Sequence, residues 1–232
     1  MEATNQSKFK RVLNLGFWSA LLTLAIIIWY IVAFGLYQPV LHAPWNGIES
    51  YVASFKSASF FSWIIPCFFL TLSYLVLIVC VYYVSRSEKE IWSLLTLIFA
   101  IAYATISSTN YYIQITVVEY NITQKSIEGL SLLLFAHPYP HSIPGALEGI
   151  GYGFMSLSFL SASFIFIKKK YERWLRWSFI GSGLTGIFVF TDPIYSLPLN
   201  IILVIAIANG IFLLSSMIFL SIWFKSARFD LE

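Results

Sequence analysis

The sequence predicts an all-α fold, a polytopic bundle of six transmembrane helices that forms one domain over residues 1–232. Three observations lead to this prediction. Hydrophobic residues make up 59% of the chain and charged residues only 11%, whereas about a quarter of the residues of a soluble domain are charged. The apolar residues are collected into runs of the roughly 20 residues that a membrane-spanning helix requires. The basic residues between these runs fall almost entirely on one side of the predicted bundle.

Six apolar stretches are long enough to span a bilayer, which requires about 17–25 residues of helix. The predicted spans are Val12–Leu36, Phe60–Val84, Ile91–Val118, Pro144–Ile167, Trp174–Phe190 and Pro198–Phe224. The connections Ser85–Glu90 and Lys168–Arg173 are short. We therefore expect the spans that they join to be antiparallel neighbours.

The distribution of basic residues predicts the orientation. Twelve of the fourteen Lys and Arg residues lie on one side of the spans, and only Lys56 and Lys125 lie on the other. Because cytoplasmic loops are enriched in Lys and Arg, we expect a cell-membrane protein with both termini in the cytoplasm. The net charge of +3 reflects this arrangement, and no basic patch typical of nucleic-acid binding is present.

Two outer loops are predicted to contain short helices at the membrane surface. Asn46 can cap the first helix, with Glu49 three residues later. Ser126 can cap the second, over residues 127–136, which ends before two prolines. The first helix has an apolar stripe at Ile48, Tyr51, Val52 and Phe55.

Polar side chains gather in the outer halves of the third and fourth spans. Asn110 and Gln114 lie inside the third span, and Glu119 follows its end. Such groups are costly in a bilayer unless they meet partners or water, so we expect their helix face to point into the protein. The same face carries Tyr103, Ser107 and Tyr111.

Glu148 is the principal candidate functional residue. It lies about one turn inside the fourth span, with Tyr152 one turn later on the same face. An intramembrane carboxylate is by default a candidate functional site. A structural acid that is hydrogen-bonded to Asn110, Gln114 or Tyr112 remains an open alternative.

No cofactor or metal site is predicted. His137 and His141 could approach Glu148, but the prolines between them prevent the helical spacing that makes a metal site persuasive. Cys67 and Cys80 lie thirteen residues apart in one apolar run and are expected in the core. No span contains the lysine required for retinal attachment or the histidines required for a b-type haem.

Several short motifs occur in and between the third and fourth predicted spans. They are Tyr111-Tyr112-Ile113-Gln114 with Val117-Val118, Glu128-Gly129-Leu130, His141, Ala146-Leu147-Glu148 and Gly151-Tyr152. These motifs resemble those of an uncharacterised family of small six-span prokaryotic integral membrane proteins. That family has an Asn-Pro-His element before the glutamate, where this chain has Tyr139-Pro140-His141. The resemblance implies that Gln114, His141 and Glu148 form one constellation, and it implies no activity.

Three functional hypotheses stay open. The first is an outward-facing intramembrane pocket for a small amphiphile such as a lipid or isoprenoid, bound by Asn110, Tyr111, Gln114, Glu119, Glu148 and Tyr152. The second is an enzyme with Glu148 as general acid or base and His141 or Glu119 as second proton carrier. The third is a subunit of a membrane complex or oligomer, assembled through a ridge of Gly145, Gly149 and Gly153. Membrane lipids are expected partners in each case.

Overall fold

The all-α prediction is confirmed by the computed structural model, which describes residues 2–41, 47–130, 142–166, 170–195 and 198–229. Within these ranges the chain forms seven α-helices, and a π-helix at Gln114–Val118 joins the third to the fourth. The helices are α1 (Glu2–Leu41), α2 (Ile48–Ser54), α3 (Ser57–Ile113), α4 (Glu119–Thr123), α5 (Ile143–Ala162), α6 (Lys170–Tyr195) and α7 (Leu199–Phe229).

Four helical segments are long and apolar enough to cross a membrane, and they indicate a membrane protein. These segments are Gln6–Ala33, Ser57–Ser85, Lys89–Thr123 and Asn200–Ala227. They correspond to the first, second, third and sixth predicted spans. The fourth and fifth predicted spans coincide with α5 and α6, which are helical but contain more Gly, Ser and Thr.

The connection between the second and third predicted spans is tighter than the sequence indicated. A loop at Ser85–Glu90 was expected, but α3 contains a single residue with non-helical dihedrals, Lys89, at φ −134° and ψ 43°. The chain reverses there, so α3 is a hairpin of two arms, residues 57–88 and 90–113. One residue suffices because the helical hydrogen-bonding pattern is interrupted only locally.

Contacts between the two arms show that they are antiparallel, as predicted. The rings of Tyr74 and Tyr103 lie 5.7 Å apart, and the side chains of Cys67 and Tyr111 are hydrogen-bonded. In each pair, the two residues are separated from Lys89 by nearly the same number of residues. The register of the hairpin therefore places Asn110 and Gln114 level with the first turns of the first arm.

The five long helices form a closed ring of neighbours, in the order α1, α3, α5, α6, α7 and back to α1. Phe224, near the end of α7, lies against Gly16 near the start of α1, and Gly210, earlier in α7, is approached by Ile31. These two helices are thus antiparallel. We call the end of the bundle near Lys89 the inner end and the end near Ser57 the outer end.

The first of the two predicted short helices is confirmed as α2, and its apolar residues pack against Val118, Ile122 and Leu130 at the outer end; its position at a membrane surface stays a prediction. Its N-cap position is Gly47, with a φ of 93° that favours glycine. The predicted cap, Asn46, lies outside the described residues. The second predicted helix does not start at residue 127, since residues 127–129 are not helical, and most of it lies outside the described ranges.

Candidate functional site

Three helices contribute side chains to a group of titratable residues near the outer end, which we call the tyrosine–glutamate cluster. Glu148 lies at its centre and acts electrostatically on each of the other members. The cluster comprises Tyr30 of α1, Cys67, Tyr103 and Tyr111 of the α3 hairpin, and Glu148 and Tyr152 of α5.

Hydrogen bonds connect the members of the cluster across the helices. The Tyr111 hydroxyl donates to Glu148 Oε1 at 3.3 Å. The Cys67 side chain is hydrogen-bonded to Tyr111, and the side chains of Tyr30 and Tyr152 are hydrogen-bonded to each other. The first arm, the second arm and α5 are thus joined at Tyr111, while α1 is joined to α5 at Tyr152.

Helical spacing explains how the sequence brings these groups together. Glu148 and Tyr152 are four residues apart and so occupy one face of α5. Tyr103 and Tyr111 lie about two turns apart on the face of α3 that points inward, as predicted, and both are 2% exposed. Tyr30 and Cys67 complete the cluster from helices whose faces there are otherwise apolar.

The accessible part of the cluster is formed by Glu148, Tyr152 and Tyr30, each of which is partly exposed. Tyr111 and Cys67, by contrast, are buried. A molecule that entered the cluster would therefore meet the Glu148 carboxyl and the two accessible tyrosines first. Tyr111 lies behind the carboxyl and fixes its position.

Within the described ranges no Lys or Arg side chain acts on Glu148, whose environment is set by burial and by the Tyr111 hydroxyl. All the cluster members around it are neutral or acidic groups. An ionised carboxyl placed among helices without a cationic partner is costly, because a buried charge is normally paired. Such a carboxyl either holds its proton or binds a cation that the described residues do not supply.

Asn110 and Gln114 lie at the same level but are buried, at 1% and 0% exposure. The Asn110 amide donates to the carbonyl oxygen of Pro144 at 3.2 Å and so attaches the second arm to the first turn of α5. Of the partners considered for a structural role of Glu148, Tyr112 points away from the bundle and is 60% exposed. Among the described residues, the hydroxyl that donates to Glu148 is that of Tyr111, the residue before Tyr112.

The π-helix at Gln114–Val118 was not predicted from the sequence. Gln114 is its first residue, and Glu119 follows its last. Short π-helical segments within α-helices occur frequently at functional sites. This one begins three residues after Tyr111, which is less than one helical turn, so it lies beside the tyrosine–glutamate cluster.

Glu119 lies further toward the outer end. Its Oε1 accepts a hydrogen bond from the Ser57 hydroxyl at 2.9 Å, which joins the two arms of the hairpin at their open end. Glu119 follows Tyr111 by eight residues, roughly 12 Å along a helix axis. It is partly exposed and is placed at the entrance to the outer end rather than inside the cluster.

His137 and His141 lie outside the described residues, so their predicted proximity to Glu148 stays a prediction. Among the residues that the structure does describe, no group of three or more His, Cys, Asp or Glu side chains could hold a metal ion. Cys67 and Cys80 are buried free thiols, as expected of core residues, but Cys67 also belongs to the cluster.

The glycine ridge of the fourth span is partly enclosed by the chain itself, because Gly149 is buried inside the bundle. Small residues of α6 face two different helices. Ser182 lies 3.4 Å from Ser216 of α7, whereas Gly186 is approached by Ser156 of α5.

Comparisons of the chain with protein-family models, with curated proteins and with solved structures found no match. The resemblance to a family of six-span membrane proteins therefore stays a prediction. The class that the structure supports is a helical membrane protein with a tyrosine–glutamate cluster near one end of its bundle.

Proposed function

We propose that the chain spans the cell membrane six times, with both termini in the cytoplasm. The ring of antiparallel helices supports this topology, since α5 and α6 lie between helices that are apolar enough to cross a membrane. The 20 residues of α5 extend about 30 Å, the thickness of the hydrocarbon core. The basic residues at the inner end support the orientation.

Labelling of single cysteines in intact cells tests this topology. In a chain whose two native cysteines are replaced by alanine, an impermeant maleimide should label Lys56→Cys and Lys125→Cys from outside. Lys225→Cys should react only after the membrane is permeabilised. Labelling of Lys225→Cys in sealed cells would contradict the proposed orientation.

We propose further that the protein binds a small amphiphilic molecule at the tyrosine–glutamate cluster. The observation that carries this proposal is the partly exposed Glu148 carboxyl, which has a hydrogen-bond donor behind it and no cationic partner among the described residues. The side chains packed beside the cluster are mostly apolar, as expected next to a site for an amphiphile. They include Ala33, Phe60, Trp63, Ile64 and Cys67.

The described residues would have different roles in this site. Glu148, Tyr152 and Tyr30 would contact the ligand because they are accessible. Tyr111 would hold the carboxyl through its hydrogen bond, and Asn110 would hold the start of α5 against the second arm.

Mass spectrometry of the protein purified in mild detergent, with organic extraction, tests the binding site. A stoichiometric molecule should accompany the wild type and be lost from folded Glu148→Gln. Glu90→Gln is the matched control, since Glu90 is exposed at the inner end. An empty wild type, or a molecule that Glu148→Gln retains fully, would refute a ligand site at Glu148.

The hydrogen bond between Tyr111 and Glu148 also favours a second candidate function, an enzyme that acts on the bound amphiphile. A carboxyl in contact with a hydroxyl donor is an arrangement that can serve general acid–base catalysis. Glu148→Asp would then retain the ligand and lose turnover. Turnover equal to that of the wild type in this variant and in Glu148→Gln would exclude Glu148 as the acid or base.

A further inference from the structure

We infer that the ligand of the tyrosine–glutamate cluster is an amphiphilic organic cation, with an amine or quaternary ammonium headgroup and an apolar body. This inference rests on the ligand site proposed above and specifies the chemical class that the site would recognise. It narrows the expectation from the sequence, which was a small amphiphile such as a lipid or isoprenoid, to one sign of headgroup charge. Three features of the cluster support it.

The first feature is charge. Glu148 is the acidic residue of the cluster, and the basic residues in the described ranges lie at the ends of the bundle. Lys8, Arg11, Lys89 and Lys225 lie at the inner end, whereas Lys56 lies just before α3 and Lys125 just after α4, at the outer end; none of these residues acts on Glu148. A cationic headgroup would supply the missing partner of the carboxyl, and charge-assisted hydrogen bonds of this kind are stronger than neutral ones.

The second feature is the aromatic surroundings of the carboxyl. Tyr111 donates to the carboxyl from behind, and the partly exposed Tyr152 lies one turn after Glu148 on the same face of α5, with its side chain hydrogen-bonded to that of Tyr30. The faces of aromatic rings attract cations, and aromatic cages are the usual sites for ammonium groups. The tyrosine oxygens can also accept hydrogen bonds from an ammonium N–H. The same residues would therefore favour a protonated amine and a quaternary ammonium.

The third feature is the poor fit to an anion. Phosphate and carboxylate headgroups are normally held by Arg, Lys or several backbone N–H groups. In the described part of the cluster the Tyr111 hydroxyl already donates to Glu148. Glu148 in its ionised form would also repel an anionic headgroup. The site thus discriminates by sign of charge rather than by size alone.

Two hydrophobic ions of nearly equal size and opposite charge test this inference, tetraphenylphosphonium and tetraphenylborate. Equilibrium binding of each is measured with the full-length protein in mild detergent, after removal of any copurified molecule. Tetraphenylphosphonium should bind saturably to the wild type and to Glu90→Gln. Its affinity should fall by at least roughly tenfold in Glu148→Gln, the scale expected from removing one charge partner.

Tetraphenylborate should bind to the protein in detergent no better than it binds to empty detergent micelles. Equal binding of the two ions, or tetraphenylphosphonium binding that is unchanged in Glu148→Gln, would overturn the cation inference. If the wild type carries a copurified neutral or anionic amphiphile that Glu148→Gln loses, the ligand site stands and the cation inference fails. If the wild type carries no molecule and binds neither ion, both proposals fail.

Discussion

The closest packing beside the tyrosine–glutamate cluster is between Ser107 of α3 and Gly151 of α5, and it yields a quantitative prediction. A Cβ atom at residue 151 would overlap the Ser107 hydroxyl oxygen, whereas it would lie 3.6 Å from the Ser107 Cβ and 3.8 Å from a Tyr103 ring carbon. The two carbon distances are ordinary van der Waals contacts. The hydroxyl is therefore the one atom that excludes alanine at this position.

We expect Gly151→Ala to destabilise the protein by about 1–3 kcal/mol, the usual cost of inserting a methyl group into a packed core. In a Ser107→Ala background the same substitution should cost less than about 0.5 kcal/mol, because the overlapping oxygen is gone. The coupling energy of this double-mutant cycle should thus be at least about 0.5 kcal/mol in favour of the double variant. The bilayer supplies no hydrophobic force between helices, so close packing of this kind is a principal source of stability.

Unfolding of the four proteins in mixed micelles of mild detergent and dodecyl sulfate, followed by the fluorescence of the eight tryptophans, measures the cycle. A Gly151→Ala penalty that is equal in both backgrounds would refute the reasoning. So would a negligible penalty in the wild-type background. Ligand binding offers a second readout, since displacement of α5 should lengthen the contact between Tyr111 and Glu148.

Two further predictions concern the hairpin. Lys89→Pro should abolish the compact fold or cost about 3 kcal/mol of stability, because proline cannot adopt the φ of −134° at the turn. Lys89→Asn should be tolerated. Coinciding unfolding curves for the two variants would contradict this role of the turn. Tyr74→Phe should cost about 1 kcal/mol through loss of the 2.9 Å hydrogen bond to Ser158, while Tyr82→Phe serves as the control; equal stability of the two variants would show that the bond contributes nothing.

Hydropathy and charge were sufficient to predict the helical class and the positions of the long helices. Both signals depend on many residues, so single deviations do not disturb them. The turn at Lys89 could not be predicted in this way. A charged segment such as 85–90 is typical of a loop, but its residues are also good helix formers. The contacts between the two arms determine where the chain reverses.

The structure brings Glu148, Tyr152 and Tyr111 together, as the sequence predicted, and the function of this group stays a prediction. Glu148, Tyr152 and Tyr111 were found because polar groups at helical spacing in an apolar run are conspicuous. Tyr30 was missed, since one tyrosine in an apolar span also reads as an ordinary core or interface residue. Tyr30 is the only tyrosine of the first predicted span. This fact could have indicated a role for Tyr30 only if the register of α1 against α5 had been known.

The polar contacts of the bundle differ in length, and the difference supports the proposed ligand site at Glu148. The hydroxyl of Thr185 donates to Asn209 at 3.0 Å and joins α6 to α7, and that of Ser57 donates to Glu119 at 2.9 Å and closes the hairpin. These bonds hold helices together. The bond from Tyr111 to Glu148 is longer, at 3.3 Å, and Glu148 remains partly exposed. A carboxyl that served only to join helices would be expected to make the shorter, charge-assisted contact. The long contact of Glu148 instead leaves its oxygens free to gain a better donor, which an ammonium headgroup would provide.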